Sequence, residues 1–300
     1  MYKSLIIGAG NIASGFDDIT NSSVLTHAHA YINNPEIELL GFYDTDYEKA
    51  QSAAKKWGVK AFKEPVNADI ISICVPDEYH AETLLNVQNL QPKLIFLEKP
   101  VCTKKDNPEI LKNIKTPILI NYSRCFSKSF QELANRIKSK EFGSYENGFG
   151  FYGKGFIHNG SHLINLLNLL IGKIEKIDFK NEINDYFEND TSKEAFITFK
   201  NGKQFTMIPA NCNNFTIFEF DIIFEKARIR MVNSGFELEI YKVQDSEKYT
   251  GYKNLILSEK ITTDLDFAMS NAVQNIVDYL NGNADLMCTL NDGLEAVKYG

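Results

Sequence analysis

In Leu94-Ile95-Phe96-Leu97-Glu98-Lys99-Pro100, a lysine follows a short apolar run and precedes a proline. Such a run reads as a buried strand, and its end is a poor place to pack an ammonium group but a good place to present one. Pro100 restricts the backbone before it and so sets the turn that carries Lys99. A lysine there, beside a cationic cofactor ring, can donate a hydrogen bond to a substrate oxygen and tends to hold its proton less tightly. The alternative is a solvated surface lysine, against which the buried run argues.

A second chemical signal opens the chain. Gly8-Ala9-Gly10-Asn11-Ile12-Ala13 follows the strand-like residues 3–7. In a dinucleotide fold Gly8 makes the tight turn, Gly10 lets the backbone approach a pyrophosphate, and Ala13 lets helix and strand pack closely. A helix starting near Asn11 and Ile12 would turn its N–H groups and positive dipole end toward the phosphates. Residues 37–43 end in Asp44, placed to bond the adenosine ribose hydroxyls. A carboxylate there repels a 2′-phosphate, so NAD is favoured over NADP. Asp44 could instead cap the next helix, although Asp46 is available for that. The spacing from the glycines to Asp44 exceeds the usual ~20 residues. The excess falls in 14–25, a polar stretch with Asp17-Asp18 and Asn21-Ser22-Ser23, either a surface loop or a lid.

Ligands of open α/β sheets bind outside the carboxyl ends of the strands. Val75, Pro76, Glu98 and Lys99 close two successive runs and therefore point toward the nicotinamide end. Later, His158-Asn159-Gly160-Ser161-His162 leads into the apolar residues 163–171. Two histidines four apart can share a zinc ion, but Gly160 separates them at a helix start and no third ligand is evident. No metal is expected. With the helix beginning at Gly160, His162 lies in its first turn and is a candidate general base. The competing reading is a histidine packed at a domain interface.

The elements that must hold these groups follow from periodicity. Strands are predicted at 3–7, 37–43, 70–75, 94–97 and 118–121, with helices at 26–32, 46–57, 78–87 and 108–114. Asn107 reads as an N-cap ahead of Pro108 at the first helical position. Residues 1–120 thus read as an α/β domain with a doubly wound parallel sheet. Beyond it comes a helix over 127–140, with Phe130, Leu133, Ala134 and Ile137 on one face, and another after His162. Alternating strands then follow, with Asn201-Gly202 as a two-residue hairpin between 195–200 and 203–208. Phe218, Phe220, Ile222 and Phe224 share one strand face, and 229–232 and 236–243 continue the sheet. Met269, Ala272, Val273, Ile276, Val277 and Leu280 form a helical stripe closed by Gly282. Residues 121–300 read as an α+β domain with a large, mostly antiparallel open sheet.

Composition sets outer bounds. The chain has 300 residues, 44% of them hydrophobic and 24% charged, enough material for two domains with sizeable cores. A net charge of −7 argues against a nucleic-acid partner. No apolar run approaches the ~20 residues that span a bilayer. Met1-Tyr2-Lys3-Ser4 runs straight into a strand, so no signal peptide is expected and the location read is cytoplasmic. Cys74, Cys102, Cys125, Cys212 and Cys288 are odd in number and lack a Cys-x-x-Cys pair, which suits reduced thiols.

The fingerprint at Gly8 to Ala13, Asp44, Val75-Pro76-Asp77-Glu78-Tyr79-His80, Glu98-Lys99-Pro100 and the helix start Gly160-Ser161-His162 together resemble the Gfo/Idh/MocA oxidoreductases. The resemblance covers nearly the whole chain. It implies a Rossmann domain, a C-terminal domain whose open sheet mediates homodimer or homotetramer formation, and NAD(P)-dependent chemistry at a sugar, polyol or nucleotide-sugar carbon. It makes Lys99 and His162 catalytic and sets His80 near the nicotinamide-side turn. In Asn121-Tyr122-Ser123-Arg124, the strand leading out of the Rossmann domain, Tyr122 and Arg124 face the substrate. The aspartate of the family's Asp-x-x-x-His motif falls on His158, a departure that leaves His158 and Asn159 as substrate contacts. That departure also supports a second reading, a non-catalytic dinucleotide-binding sensor or accessory subunit, against which the retention of Lys99 and His162 speaks.

Overall fold

Strand-forming residues in the first part of the chain give β1 (Tyr2–Ile7), β2 (Ile37–Tyr43), β3 (Lys60–Phe62), β4 (Ile70–Ile73), β5 (Leu94–Leu97) and β6 (Ile118–Ile120). In the computed structural model, which describes residues 1–300, they pair in parallel in the order β3-β2-β1-β4-β5-β6. Every residue of β4, β5 and β6 is buried, as a parallel sheet covered on both faces requires. Strand β3 is absent from the sequence reading because three residues, one exposed and two partly buried, carry no period.

The helices of this part are α1 (His27–Asn33), α2 (Tyr47–Trp57), α3 (His80–Asn86), α4 (Pro108–Leu111) and α5 (Ser123–Phe126). In α2, Asp46 accepts hydrogen bonds from the amides of Glu48 and Lys49, Lys55 and Lys56 face the negative end of the dipole, and Gly58 turns left-handed at the exit. Its buried face is Ala50, Ala53, Ala54 and Trp57. The helix expected from Asn11 is instead one wide turn, Asn11–Gly15, closed by Phe16 N–H on Asn11 O at 3.0 Å. Lys56 Nζ and Trp57 Nε1 capture the Ser14 carbonyl at 2.7 and 3.1 Å and hold the turn there. Residues 14–25 are more than a surface loop. Asp17 is buried, bonding Leu25 N, Thr26 Oγ1 and His29 Nδ1 at 2.6, 2.5 and 2.8 Å, while residues 18–22 stay exposed.

The second unit, residues 127–265 with Tyr299, contains α6 (Lys128–Lys138), β7 (Tyr145–Tyr152), α7 (Ser161–Leu170), β8 (Ile174–Phe187), β9 (Asp190–Phe199), β10 (Gln204–Pro209), β11 (Glu219–Phe224), β12 (Ala227–Val232), β13 (Glu237–Asp245) and β14 (Lys253–Thr262). Its eight strands run β14-β13-β12-β11-β7-β10-β9-β8, and only β7 and β10 pair in parallel. Phe218, Phe220, Ile222 and Phe224 are buried together, as their alternation predicts. The β9–β10 hairpin turns more widely than two residues: Phe199 N–H bonds Lys203 O at 2.9 Å, and Gly202 takes φ +79° between them.

The chain then returns to the first unit through α8 (Ala268–Leu280) and α9 (Leu290–Val297). The sequence reading placed all of 121–300 in one second domain; the packing breaks at Phe126 and gives 266–298 back to the first unit. Ile120 N–H bonds Cys288 O at 2.9 Å, so the last segment lies along the edge of β6. Periodicity shows that α8 has a buried face, not which sheet it covers.

Helix α6 draws its cap from far along the chain. Asp264 Oδ1 accepts from Ser127 Oγ, Ser129 N and Ser129 Oγ, and Oδ2 accepts from Lys128 N at 3.0 Å. Burial works against this charge, but the hydrogen bonds outweigh it and bring the carboxyl down to about 2. Asp264→Ala is therefore expected to lose about 1 kcal/mol of stability at neutral pH by urea titration. The deficit holds above about pH 4, the unfolded carboxyl value. It closes as the pH falls toward 2, where the native carboxylate takes up its proton.

Candidate functional site

Strands β1 and β4 are neighbours from which the chain winds in opposite directions, so a crevice opens at their carboxyl ends. Gly8 lies at that exit with φ +91°, and a Cβ there would stand 2.6 Å from Cys74 C and O. Only glycine lets the turn after β1 rest on the end of β4. Gly10 differs: no atom lies within 4 Å of where its Cβ would be, so its backbone faces open space. Asp44 ties this turn to the end of β2, accepting Ala9 N–H at 2.8 Å and Asp46 N–H at 2.9 Å. A concavity of about 400 Å³ adjoins it, lined in part by Ala9, Ser14, Gly15, Asp46, Lys49 and Lys56. Open backbone at Gly10 and a fixed carboxylate at Asp44 fit the pyrophosphate and ribose of a dinucleotide. The amides on offer belong to the short turn with Asn11 and Ile12, not to a long helix.

At the other side of the crevice the groups divide by depth. Val75, Pro76 and Lys99 keep accessible surface, whereas His80 and Glu98 are only 1% and 7% exposed. The sequence reading set both of these against the cofactor; the fold turns them inward. His80 lies with Nδ1 2.6 Å from Pro100 O and Nε2 2.8 Å from Val75 O, pinning the turn after β4 to the turn after β5. The Lys99-Pro100 peptide in that turn is cis.

Glu98 anchors the same turn from below. Its Oε1 accepts from His27 Nε2 at 2.8 Å and from Asn121 Nδ2 at 2.6 Å. His27 Nδ1 is 2.9 Å from Ser72 Oγ, which is 2.6 Å from Tyr31 Oη. With the proton on Nε2, every donor of this chain meets one acceptor. Burial alone raises the Glu98 carboxyl, but the bonds from His27 and Asn121 and the charge of Lys99 hold it below the usual carboxylate range. Beyond β6, Tyr122 is buried and Arg124 is partly exposed, its guanidinium pushed down to about 10 by desolvation. None of His27, Tyr31 or Ser72 stood out in the sequence. The available signals were a serine inside Ile70-Ile71-Ser72-Ile73 and two histidines on one short helix.

In the second unit His162 is the second residue of α7, partly exposed, with its ring 6.2 Å from Phe218 in an edge-on arrangement. It follows a second wide turn, Phe156–Gly160, closed by Gly160 N–H on Gly155 O at 3.0 Å. Wide turns of this kind recur at functional sites. A Cβ on Gly160 would come 2.9 Å from Tyr152 Cε2, so packing already requires this glycine. His158 stacks obliquely on Phe187 at 4.8 Å and stays partly exposed, while Asn159 Nδ2 bonds Gly153 O at 2.9 Å and braces the loop. No group of three or more His, Cys, Asp or Glu side chains is arranged to hold a metal ion.

Two family models cover most of the chain. The Gfo/Idh/MocA model described as an oxidoreductase family with an NAD-binding Rossmann fold matches residues 2–116, and its C-terminal alpha/beta domain matches residues 145–300. The chain belongs to this oxidoreductase family, and its Rossmann unit is of the NAD-binding type. Glucose-6-phosphate 3-dehydrogenase of Bacillus subtilis is 28% identical over 143 residues, 46% of this chain and only 37% of that protein. Among solved structures, UDP-N-acetylglucosamine 3-dehydrogenase of Acidithiobacillus ferrooxidans superposes with a TM-score of 0.76 at 15% identity, covering 99% of this chain and 94% of the other. The WlbA dehydrogenase of Bordetella pertussis, solved with NADH and UDP-GlcNAcA, gives 0.72 at 15% identity, covering 98% and 93%. At that identity the structures speak for the fold.

Glu98→Gln keeps shape and one acceptor but removes the charge that His27 and Asn121 share. Chemical unfolding at pH 7 is expected to show a loss of about 2 kcal/mol. Because the native carboxyl is held low, the difference persists above about pH 4.3 and shrinks as the wild type protonates below it.

Proposed function

We propose that this member of the family transfers hydride between NAD and a carbon of a sugar, polyol or nucleotide-sugar substrate. The reading rests above all on Lys99, one residue beyond the buried, twice-bonded Glu98 and at the carboxyl edge of a sheet whose glycine turn suits a dinucleotide. Gly8, Gly10, Asn11 and Ile12 would hold the pyrophosphate, Asp44 the ribose, and Val75, Pro76 and Lys99 would flank the nicotinamide. Glu98 and His80 act from behind, through the turns they fix.

Bound NAD⁺ supplies a hydride acceptor at nicotinamide C4. In the oxidative direction the His162 imidazole takes the proton of the substrate hydroxyl, and the Lys99 ammonium donates a hydrogen bond to the oxygen as negative charge develops. The carbon loses its hydrogen with the bonding electron pair, and the C–O bond becomes C=O. In the reverse direction His162 returns the proton. Arg124, Tyr122, His158 and Asn159 are the proposed substrate contacts; Arg124, His158 and Asn159 offer accessible surface, whereas Tyr122 is buried.

Lys99→Ala is expected to cut kcat about 100-fold or more with a ketosugar and NADH. Its NADH affinity, read by fluorescence titration, should stay within a few-fold of wild type. Equal turnover in the variant would sink the assignment. The second reading, a sensor or accessory subunit favoured by His158, predicts tight NADH binding by the wild type with no turnover across a broad sugar panel.

We further propose a homodimer or homotetramer built through the eight-stranded sheet. Edge strand β14 exposes Leu255, Ile256 and Leu257 in succession, and Phe149 and Phe179 are exposed elsewhere on the sheet. Exposed apolar edges attract partners. Sedimentation velocity should show a dimer or tetramer that Leu255→Glu/Leu257→Glu weakens; a monomeric wild type rejects the assembly. The five cysteines form no disulfide, which supports a reducing, cytoplasmic location.

A further inference from the structure

The loop that launches α7 is held by side chains from one hairpin as well as by its own residues. Lys154 N–H donates to Asp185 Oδ2 at 2.6 Å and Gly155 N–H to Ser192 Oγ at 2.9 Å. Ile157 N–H donates to Asp190 Oδ1 at 2.9 Å, and His158 N–H to Asp190 Oδ2 at 2.8 Å. Four amides within five residues therefore end on three side chains of the β8–β9 hairpin. Ser192 Oγ also donates to Asp185 Oδ1 at 2.9 Å, which joins the acceptor of Gly155 to the Asp185 clamp.

Two further observations make Asp190 the centre of this arrangement. Gly155 has φ +83°, and a Cβ on it would lie 2.3 Å from Asp190 Oδ2, so the glycine leaves the space that the carboxylate fills. The amides it binds open the wide turn Phe156–Gly160, where helix-type donors otherwise lack partners. That turn ends at Gly160, two residues before His162 in the first turn of α7. A carboxylate with both oxygens on successive amides fixes the backbone more tightly than one neutral bond can.

We propose that Asp190 is a positioning residue for His162, setting from the neighbouring hairpin the turn that aims the imidazole. The inference rests on the proposed role of His162 as the proton-transfer group. It assigns Asp190 no contact with substrate.

The test compares the full-length wild type with Asp190→Ala, Asp190→Asn and Gly155→Ala. Amide hydrogen exchange at 157 and 158 should accelerate roughly 10-fold or more in Asp190→Ala. With a turned-over ketosugar, kcat should fall by up to roughly 100-fold. KM should change little, NADH affinity should stay unchanged, and the pH profile of kcat should move. Asp190→Asn, which keeps one acceptor, should recover part of the rate, and Gly155→Ala should reproduce the defect with Asp190 intact. NMR titration of the His162 ring, which needs no substrate, should shift in Asp190→Ala. Unchanged exchange removes the clamp. Faster exchange with unaltered His162 titration overturns the positioning role. A wild type that turns over no sugar refutes the proposed function, while exchange and titration still decide the role of Asp190.

Discussion

A carboxylate buried at the end of a strand is costly unless its bonds are complete, and Glu98 makes the Rossmann unit complete them. To reach it, α1 must bring His27 over the sheet, β4 must carry Ser72 at the matching register, and the exit of β6 must present Asn121. Its own amide bonds Ile73 O at 3.0 Å, and Asn121 Nδ2 also approaches Met269 Sδ of α8 at 3.8 Å. The neighbour that benefits is Lys99. Its flexible stem starts from a backbone fixed on both sides, by Glu98 below and by His80 across the turn. Precision in the long side chain is thus borrowed from two short, buried ones.

The second unit solves a similar problem with different parts. His162 sits on a helix whose interior face is apolar almost throughout, so helix packing fixes its axis but says little about its first turn. The β8–β9 hairpin supplies that missing constraint with hydroxyl and carboxylate acceptors. Asp185 shows what this requires: burial opposes its charge, yet bonds from Lys154 N, Ser192 and Cys212 keep it below the ordinary carboxylate range.

The fold was largely legible because its signals are local. Strands β2 and β5 are read with their observed bounds, and the caps at Asp46 and Asn107 lie where their residue types suggest. Gly8, Gly10 and Asp44 could be paired with a dinucleotide because strand order and spacing constrain them. Long-range choices were not legible. Residues 23 to 71 positions apart meet in the Glu98 and Ser14 clusters, and a single sequence carries no mark of such pairing. Position 190 is one polar residue among many on a hairpin, and only the backbone amides around it reveal its use. The same reason explains why the sequence alone does not show residues 266–298 at the chain's end packing with the first unit.

That end bears on how the protein is made. Synthesis delivers β1 to β6 first, then the whole second unit, and only afterwards the segment that runs beside β6. Until Cys288 leaves the ribosome, the amide of Ile120 lacks its acceptor and the sheet keeps a raw margin. The nascent first unit therefore waits, incomplete, through translation of about 170 further residues, roughly 8–34 seconds at ordinary elongation rates. A chaperone that shields an apolar β margin has its window during that interval.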